Sequence, residues 1–154
     1  MSAKPAERVR ATILGCGSSG GVPRIGNDWG DCDPANPKNR RRRCSLLIEG
    51  TSAGMPGVTR VLIDTGADLR EQMLTADVGS VDAVFYTHEH ADHIHGIDDL
   101  RVLVIASGKK VPVYYGARTG ERLHEAFSYC FRTPPGSGYP PILDGHVIEP
   151  GETI

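Results

Sequence analysis

The run from Thr87 to His93, Thr-His-Glu-His-Ala-Asp-His, constrains the fold of this chain more than any other stretch. It follows directly on residues 82–86, a short apolar run of the kind that forms a strand covered on both faces of a sheet. Three imidazoles and two carboxylates within six positions at the end of a strand are typical of a metal-binding loop. Because alternate side chains of an extended segment point to the same side, His88 and His90 are predicted to bind one ion.

Asp92 and His93 stand where the chain is predicted to turn into the next helix, and there they can face a second ion. Two ions roughly 3.5–4 Å apart lower the pKa of a shared water molecule and stabilise both the attacking and the leaving oxygen of a hydrolysis. Neutral imidazole suits zinc, iron and manganese, and a carboxylate adds charge and helps to fix the geometry. The sequence therefore predicts a dinuclear hydrolytic centre, with an exposed polar loop or an adventitious metal binder as the alternative.

The order of the remaining segments predicts an α/β fold. Strand-like runs at residues 9–14, 44–49, 59–64, 82–86, 111–115 and 142–149 are interspersed with helical patterns at residues 65–75, after 93 and at 118–131. The second and third runs are predicted to pair as a hairpin. Thr65 and Asp68 fit a capping box that opens the first helix. Strands that alternate with helices in this way are typical of an α/β architecture.

The pattern His88-x-His90-x-Asp92-His93 resembles the H-x-H-x-D-H signature of the metallo-β-lactamase fold superfamily. Residues 61–66 look like the strand-to-helix element that precedes this signature in the family. Residues 14–23, with 40–45, are similar to its phosphodiesterase branch. That branch includes the cyclic-phosphate phosphodiesterase associated with carbon–phosphorus lyase and is related to the tRNA 3′-processing endonucleases. The resemblance extends over nearly all of residues 11–154.

The resemblance implies that residues 1–154 are a single domain forming the N-terminal half of a four-layer αββα sandwich with mixed sheets. Family members are usually longer, and their second half supplies further metal ligands, so we expect this chain to be cut short at its C-terminus. A catalytic zinc normally takes about three protein ligands. His146 is the one candidate for a third ligand, although residues 144–148 fit a strand better than a ligand turn.

By the same resemblance, each site residue has an expected role. His88 and His90 would bind the first metal, and Asp92 and His93 the second, with Asp92 also orienting the attacking nucleophile. Asp64 would support the loop from behind. The expected cofactors are two divalent ions, in the first place zinc, with manganese or iron as alternatives.

The implied reaction is hydrolysis of a phosphodiester, in a cyclic phosphate or a nucleotide-like ester. One alternative keeps the fold but cleaves a thioester, a lactone or a β-lactam. A second alternative is a non-catalytic metal-binding fragment, because the downstream ligands are absent. The expected partner is a small phosphate-containing substrate, nucleotides included. A homodimer is a further possibility that the sequence leaves undecided.

Composition and charge limit the partners and the compartment. Seventeen Lys and Arg against nineteen Asp and Glu leave a net charge of −2, which gives no strong basic field for binding long nucleic acid. The longest strongly apolar stretch, residues 102–106, is far short of the ~20 residues of a membrane span. Residues 1–10 have no apolar core of the kind a secretory signal needs. We therefore expect a soluble, cytoplasmic chain without a membrane partner.

Residues 15–20 match G-x-G-x-x-G, but Pro23 follows at once and no amphipathic helix opens there, which disfavours a dinucleotide site. The better interpretation is a glycine-rich loop near the metal centre that offers backbone N–H groups to a substrate phosphate. Cys32 and Cys44 are candidates for a structural zinc, with reduced thiols as the alternative, and Cys16 stays open.

Four arginines, residues 40–43, are either a solvated loop or a segment that attracts a phosphate-bearing substrate. Cys130 is predicted to lie in the core. His124 is predicted to lie at the surface.

Overall fold

In a computed structural model that describes residues 6–52 and 56–154, the chain forms one six-stranded mixed sheet with helices. The strands lie in the sheet in chain order and are β1 (Arg8–Gly15), β2 (Ser45–Thr51), β3 (Thr59–Ile63), β4 (Ala83–Tyr86), β5 (Val111–Tyr115) and β6 (Leu143–Val147). The first three are antiparallel, and β3 to β6 run parallel to one another. The α/β prediction is confirmed, and so is the predicted pairing of the second and third strands, in which Leu47 stands opposite Leu62.

Five α-helices connect or follow these strands in the described residues: α1 (Leu69–Ala76), α2 (Ala91–Ile94), α3 (Leu100–Ser107), α4 (Ala117–Ala126) and α5 (Ser128–Phe131). Short 3₁₀ turns lie at Pro37–Asn39 and Ile97–Asp99. None of the helices in the described part of the chain has the length and apolar character that crossing a membrane requires.

The predicted helix starts need three corrections. The first helix begins at Leu69 rather than Thr65, and Asp68 makes no side-chain capping bond, because its carboxylate binds Arg43 instead. The helix expected after His93 begins earlier, at Ala91, and is interrupted before α3 by a 3₁₀ turn. The single helix expected over residues 118–131 is divided at residue 127, where the backbone leaves the helical conformation.

The two faces of the sheet differ in cover. On one face Leu47, Leu62, Val84 and Val113 are at most 1% exposed, in a core that includes residues of α1, α3 and α4. Residues of the opposite face are half-buried or exposed, among them Ile13, Ile48, Ile63, Phe85 and Tyr114. The prediction that β4 is covered on both faces is therefore wrong, because the buried core of the described residues lies against one face alone.

Candidate metal centre

The predicted metal ligands lie at the carboxyl ends of two parallel strands. Residues 87–93, the histidine loop, leave β4 at Tyr86 and enter α2 at Ala91. The neighbouring strand β3 ends at Ile63 and continues into the turn 64–68 that leads to α1. Binding sites of open α/β sheets lie at this edge, where loops from adjacent parallel strands meet.

Asp64 holds the histidine loop in place. It follows β3 directly, is 3% exposed and has a positive φ of 62°, a conformation that aspartate tolerates better than most residues. Its Oδ1 accepts the backbone N–H of Thr87 at 2.8 Å, and its Oδ2 accepts the Thr87 hydroxyl at 2.7 Å. The same Oδ2 lies 2.7 Å from Nδ1 of His93. One buried carboxylate thus joins both ends of the loop.

These contacts set the tautomers of two histidines. An ionised carboxylate only accepts hydrogen bonds, so His93 donates from Nδ1 and keeps the lone pair of Nε2 free. The Thr87 hydroxyl donates to Asp64, so its oxygen accepts from His88 Nδ1 at 2.9 Å. His88 therefore also has a free Nε2 lone pair. Metal-ligating histidines are commonly oriented in this way by a hydrogen bond from the other ring nitrogen.

Close backbone packing fixes the loop against the turn after β3. Thr65 donates its N–H to the His93 carbonyl at 2.8 Å, and Gly96 donates to the Thr65 carbonyl at 2.7 Å. A Cβ on Gly66 would stand 2.2 Å from the Asp92 carbonyl oxygen, and a Cβ on Gly96 would stand 2.1 Å from that of Gly66. Glycine is therefore required at both positions for the two segments to meet.

The histidine rings gather on one side of this support. The ring centroid of His88 lies 4.7 Å from that of His90 and 4.0 Å from that of His93. Nε2 of His93 and Oδ2 of Asp92 are 3.4 Å apart. Two metal–ligand bonds of about 2.1 Å that meet at a tetrahedral angle place their ligand atoms about 3.4 Å apart, so this pair suits a shared ion.

The donor set fits a divalent transition metal, because neutral imidazoles and a carboxylate are ligands of zinc, manganese and iron. The structure brings these donors together in pairs. Across residues 6–52 and 56–154, no group of three or more His, Cys, Asp or Glu side chains is placed so that it could hold an ion.

Other residues considered from the sequence have different surroundings. His146 lies on β6, where its ring stacks on Tyr114 at 5.0 Å and its Nε2 is 3.4 Å from Asp144. The exposed Cys44 lies 3.3 Å from the Gly17 carbonyl, which its thiol can reach as a donor. No contact joins Cys44 to the half-buried Cys32 within the described ranges, and the structural zinc stays a prediction.

Cys130 is fully buried, as predicted, and burial raises the pKa of its thiol to about 11. The surface position of His124 is confirmed, although its Nε2 is also 2.9 Å from the Tyr115 hydroxyl.

Sequence reasoning missed two ion pairs beside the loop. Arg118, at the start of α4, contacts Glu89 at 2.7 Å. Hydrogen bonding by the Glu89 backbone N–H and the Arg118 charge hold the pKa of Glu89 below its usual range. The second pair joins Arg43 to Asp68, at 2.9 Å from Nε and 2.7 Å from a terminal guanidinium nitrogen. Hydrogen bonding to Arg43 lowers the pKa of Asp68. No local pattern signals either pair, because the partners are distant in the sequence.

The sequence of this chain is similar to those of several known proteins. Residues 59–154 match the beta-lactamase superfamily domain. An octanoyltransferase of Porphyromonas gingivalis is 39% identical over 132 residues, which are 86% of this chain and 25% of that protein. A ribonuclease Z of Myxococcus xanthus is 36% identical over 97 residues, which are 53% of this chain and 32% of that protein.

Solved structures share the fold. A diphosphatase from the PhnP family superposes with a TM-score of 0.74 and 38% identity, covering 92% of this chain and 50% of that one. Zn²⁺-bound PqqB from Methylobacterium extorquens, at 17% identity and a TM-score of 0.63, shows likeness of fold alone and covers 94% of this chain and 47% of that one. The chain thus spans between a quarter and a half of the length of these four proteins.

Proposed function

Because this chain belongs to the beta-lactamase superfamily, and its fold is that of the metallo-β-lactamases, we propose that it is part of a metal-dependent hydrolase that cleaves phosphodiesters. The observation that carries the proposal is the buried Asp64 carboxylate, which directs one free imidazole nitrogen on His93 and, through Thr87, another on His88. Phosphate esters are favoured as substrates because two matched proteins are named as a diphosphatase and a ribonuclease.

In this proposal His88 and His90 hold one ion, and Asp92 and His93 hold the other. Zinc is the first choice, with manganese or iron as alternatives, since all three accept imidazole and carboxylate ligands. When bound, the two ions would supply a water molecule of lowered pKa and positive charge for the phosphoryl oxygens.

The residues of the chain itself position the reactants. Asp92 accepts a hydrogen bond from the attacking water and aims it at phosphorus. Asp64 and Thr87 hold the tautomers of His93 and His88, so that neither of these imidazoles has to shift its proton when the substrate arrives. Arg118 restrains Glu89, which lies between the two histidines of the first pair. A site held in this way needs little reorganisation during the reaction.

The substrate class in this proposal is a small phosphate-containing molecule, such as a cyclic phosphate or a nucleotide derivative, rather than long nucleic acid. The site residues belong to one domain, and the protein works in the cytoplasm. A homodimer is compatible with this proposal but is not required by it.

The test compares three substrates on the intact protein that carries this chain, loaded in turn with zinc and manganese. We expect release of nitrophenol from bis(p-nitrophenyl) phosphate to exceed cleavage of an acyl thioester and of a chromogenic β-lactam. His88→Ala is expected to lose both bound metal and diesterase activity, whereas His124→Ala, which removes an imidazole at the surface, keeps both. Faster cleavage of the thioester or the β-lactam would overturn the substrate class.

Metal binding without turnover is a second candidate, because no three ligating side chains within the described ranges are placed around an ion. Elemental analysis of the purified protein separates the two functions. Stoichiometric metal that depends on His88, in a protein that cleaves none of the three substrates, would favour this second candidate.

A further inference from the structure

Helix α3 carries an apolar stripe that the rest of the described chain leaves uncovered. Val102 is 69% exposed and Ile105 is 75% exposed, although Leu100 on another side of the same helix is buried. Because residues three apart lie on neighbouring turns of one side of a helix, Val102 and Ile105 form one stripe. Leu74 of α1, which is 61% exposed, extends the apolar surface. We call the surface formed by Leu74, Val102 and Ile105 the α3 patch.

An apolar groove of about 300 Å³ lies between α1 and α3 beside this patch. Aliphatic and methionine side chains make up most of its lining, which includes Leu69, Met73, Leu74, Val78, Val102 and Leu103. Arg70 and Asp99 also line the groove. In soluble proteins, a contiguous exposed apolar surface with charged residues beside it is typical of an interaction site.

Charges of opposite sign stand at the two ends of α3. Asp98 and Asp99 come directly before the helix, and Lys109 and Lys110 follow it. All four residues are exposed. Asp98 contacts Arg101 at 2.9 Å, whereas the other three side chains make no hydrogen bond or ion pair within the part of the chain that the structure describes. The helix is therefore acidic at its start, apolar in its middle and basic at its end.

This order of charges makes α3 complementary to a second copy of itself. In a dimer with two-fold symmetry the same surface of both chains meets, and a helix that packs across the axis runs antiparallel to its counterpart. In the register that sets Val102 of one copy opposite Ile105 of the other, Asp98 stands opposite Lys109. One register thus aligns the apolar stripes and the opposite charges together.

The same pattern favours a second copy over a different protein. Another protein would need an apolar stripe with acidic and basic ends in the matching order, whereas a second copy has this order by symmetry. An apolar centre with a charged rim is also the usual arrangement of a protein–protein interface. The α3 patch has both parts.

We propose that the α3 patch is the interface of a homodimer in which α3 packs antiparallel against α3 of a second copy. Ile105 of each copy then enters the groove beside Val102 of the other. Asp98 and Asp99 of each copy face Lys109 and Lys110 of the other. None of these residues belongs to the histidine loop, so the interface does not depend on the proposed function.

Sedimentation equilibrium of the intact protein that carries this chain tests the interface. We expect the wild type to be a dimer, and we expect Ile105→Asp to raise its dissociation constant at least about tenfold, because a carboxylate without a partner is costly to bury. The matched control is Ile25→Asp, which places the same charge at an isoleucine that is fully exposed elsewhere. This control should leave the dissociation constant within about twofold of the wild type. A monomeric wild type, or a dimer that Ile105→Asp weakens no more than Ile25→Asp does, would overturn the proposal.

Charge reversal separates the antiparallel contact from a general loss of structure. Asp98→Lys/Asp99→Lys and Lys109→Glu/Lys110→Glu each set like charges against one another, so each variant alone should dimerise more weakly than the wild type. Mixed in equal amounts, the two variants should form a heterodimer, because every charged contact between them again joins opposite signs. A variant that carries both reversals should form the homodimer again. Thermal unfolding followed by circular dichroism checks that each variant is folded, and folded variants that fail to associate on mixing would refute the antiparallel contact.

Discussion

The histidine loop and the four arginines at residues 40–43, the arginine run, flank the same turn of the chain but are held there by different means. Asp64, at one end of the turn, binds the histidine loop through three hydrogen bonds from a carboxylate that is 3% exposed. Asp68, at the other end, binds Arg43 through side chains that are 23% and 32% exposed. The rest of the arginine run is held by backbone hydrogen bonds and by the Arg42 side chain, which donates to the Glu71 carbonyl and the Thr75 hydroxyl.

The difference matches what the proposed function requires of the histidine loop. Metal coordination demands ligands placed to a fraction of an ångström, and buried hydrogen bonds to Asp64 restrain the loop in that way. The arginine run is held less tightly: its backbone is restrained, and the exposed side chains of Arg40 and Arg41 make no hydrogen bond or ion pair within the described ranges. The buried hydrogen bonds of Asp64 should contribute more to the free energy of unfolding than the partly buried ion pair of Arg43 and Asp68.

Replacing Asp64 should have the largest effect on stability and on zinc binding. A small effect would contradict the difference between the two segments. Asp64→Ala leaves the Thr87 N–H and the His93 Nδ1–H without their buried acceptor, which predicts a loss of about 2–4 kcal/mol of unfolding free energy. The milder Asp64→Asn should weaken zinc binding about 10–100-fold, because the histidines lose their orienting partner. Urea denaturation and zinc titration against a chelating dye measure the two effects.

Asp31→Asn is the matched control, since it removes an exposed carboxylate that makes no hydrogen bond or ion pair within the described ranges. Asp31→Asn should alter neither the free energy of unfolding nor the zinc affinity. Zinc affinity that survives in Asp64→Asn would mean that the loop is oriented by something other than this carboxylate.

Gly66→Ala tests the contact between the shared turn and the histidine loop. The new methyl group would meet the Asp92 carbonyl oxygen at 2.2 Å, so one of the two segments has to shift, at a cost of about 1–3 kcal/mol. Gly138→Ala adds the same methyl group where no atom lies within 4 Å and should cost far less. The two variants are compared by urea unfolding. Equal midpoints would show that the turn and the loop are not closely packed.

The place of the histidine loop, directly after β4, could be predicted because the information is local. Period-two spacing places His88 and His90, and the apolar run before them places the strand. The bounds of the strand at residues 111–115 likewise agree with the prediction. The fold and the family follow from these local patterns together with the resemblance of the motif.

Predictions failed where a contact between distant segments decides the outcome. The capping box at Thr65 and Asp68 is a sound local pattern, but Arg43 lies 25 positions away and takes the carboxylate, while the Thr65 hydroxyl bonds to Tyr86 at 2.9 Å. Likewise, an apolar run predicts burial of β4 without showing which of its faces the core covers. The position of the arginine run likewise depends on glycines that let the N-terminal loop lie against it, a pairing that no spacing rule reveals.

Asp68→Asn should have the smallest effect on the free energy of unfolding, and it measures the contribution of the ion pair between Arg43 and Asp68. Because Arg43 lowers the pKa of Asp68 in the folded state, the pair stabilises the protein above the unfolded-state pKa of aspartate, about 3.9. That stability is lost as the pH falls through the lower folded-state value. The variant should therefore lose about 1 kcal/mol at pH 7 and progressively less below about pH 4, as followed by urea unfolding. In an Arg43→Gln background the same substitution should cost less at pH 7, because the guanidinium partner is gone. A deficit that stays constant down to pH 2 would mean that Asp68 supports the turn through its shape rather than its charge.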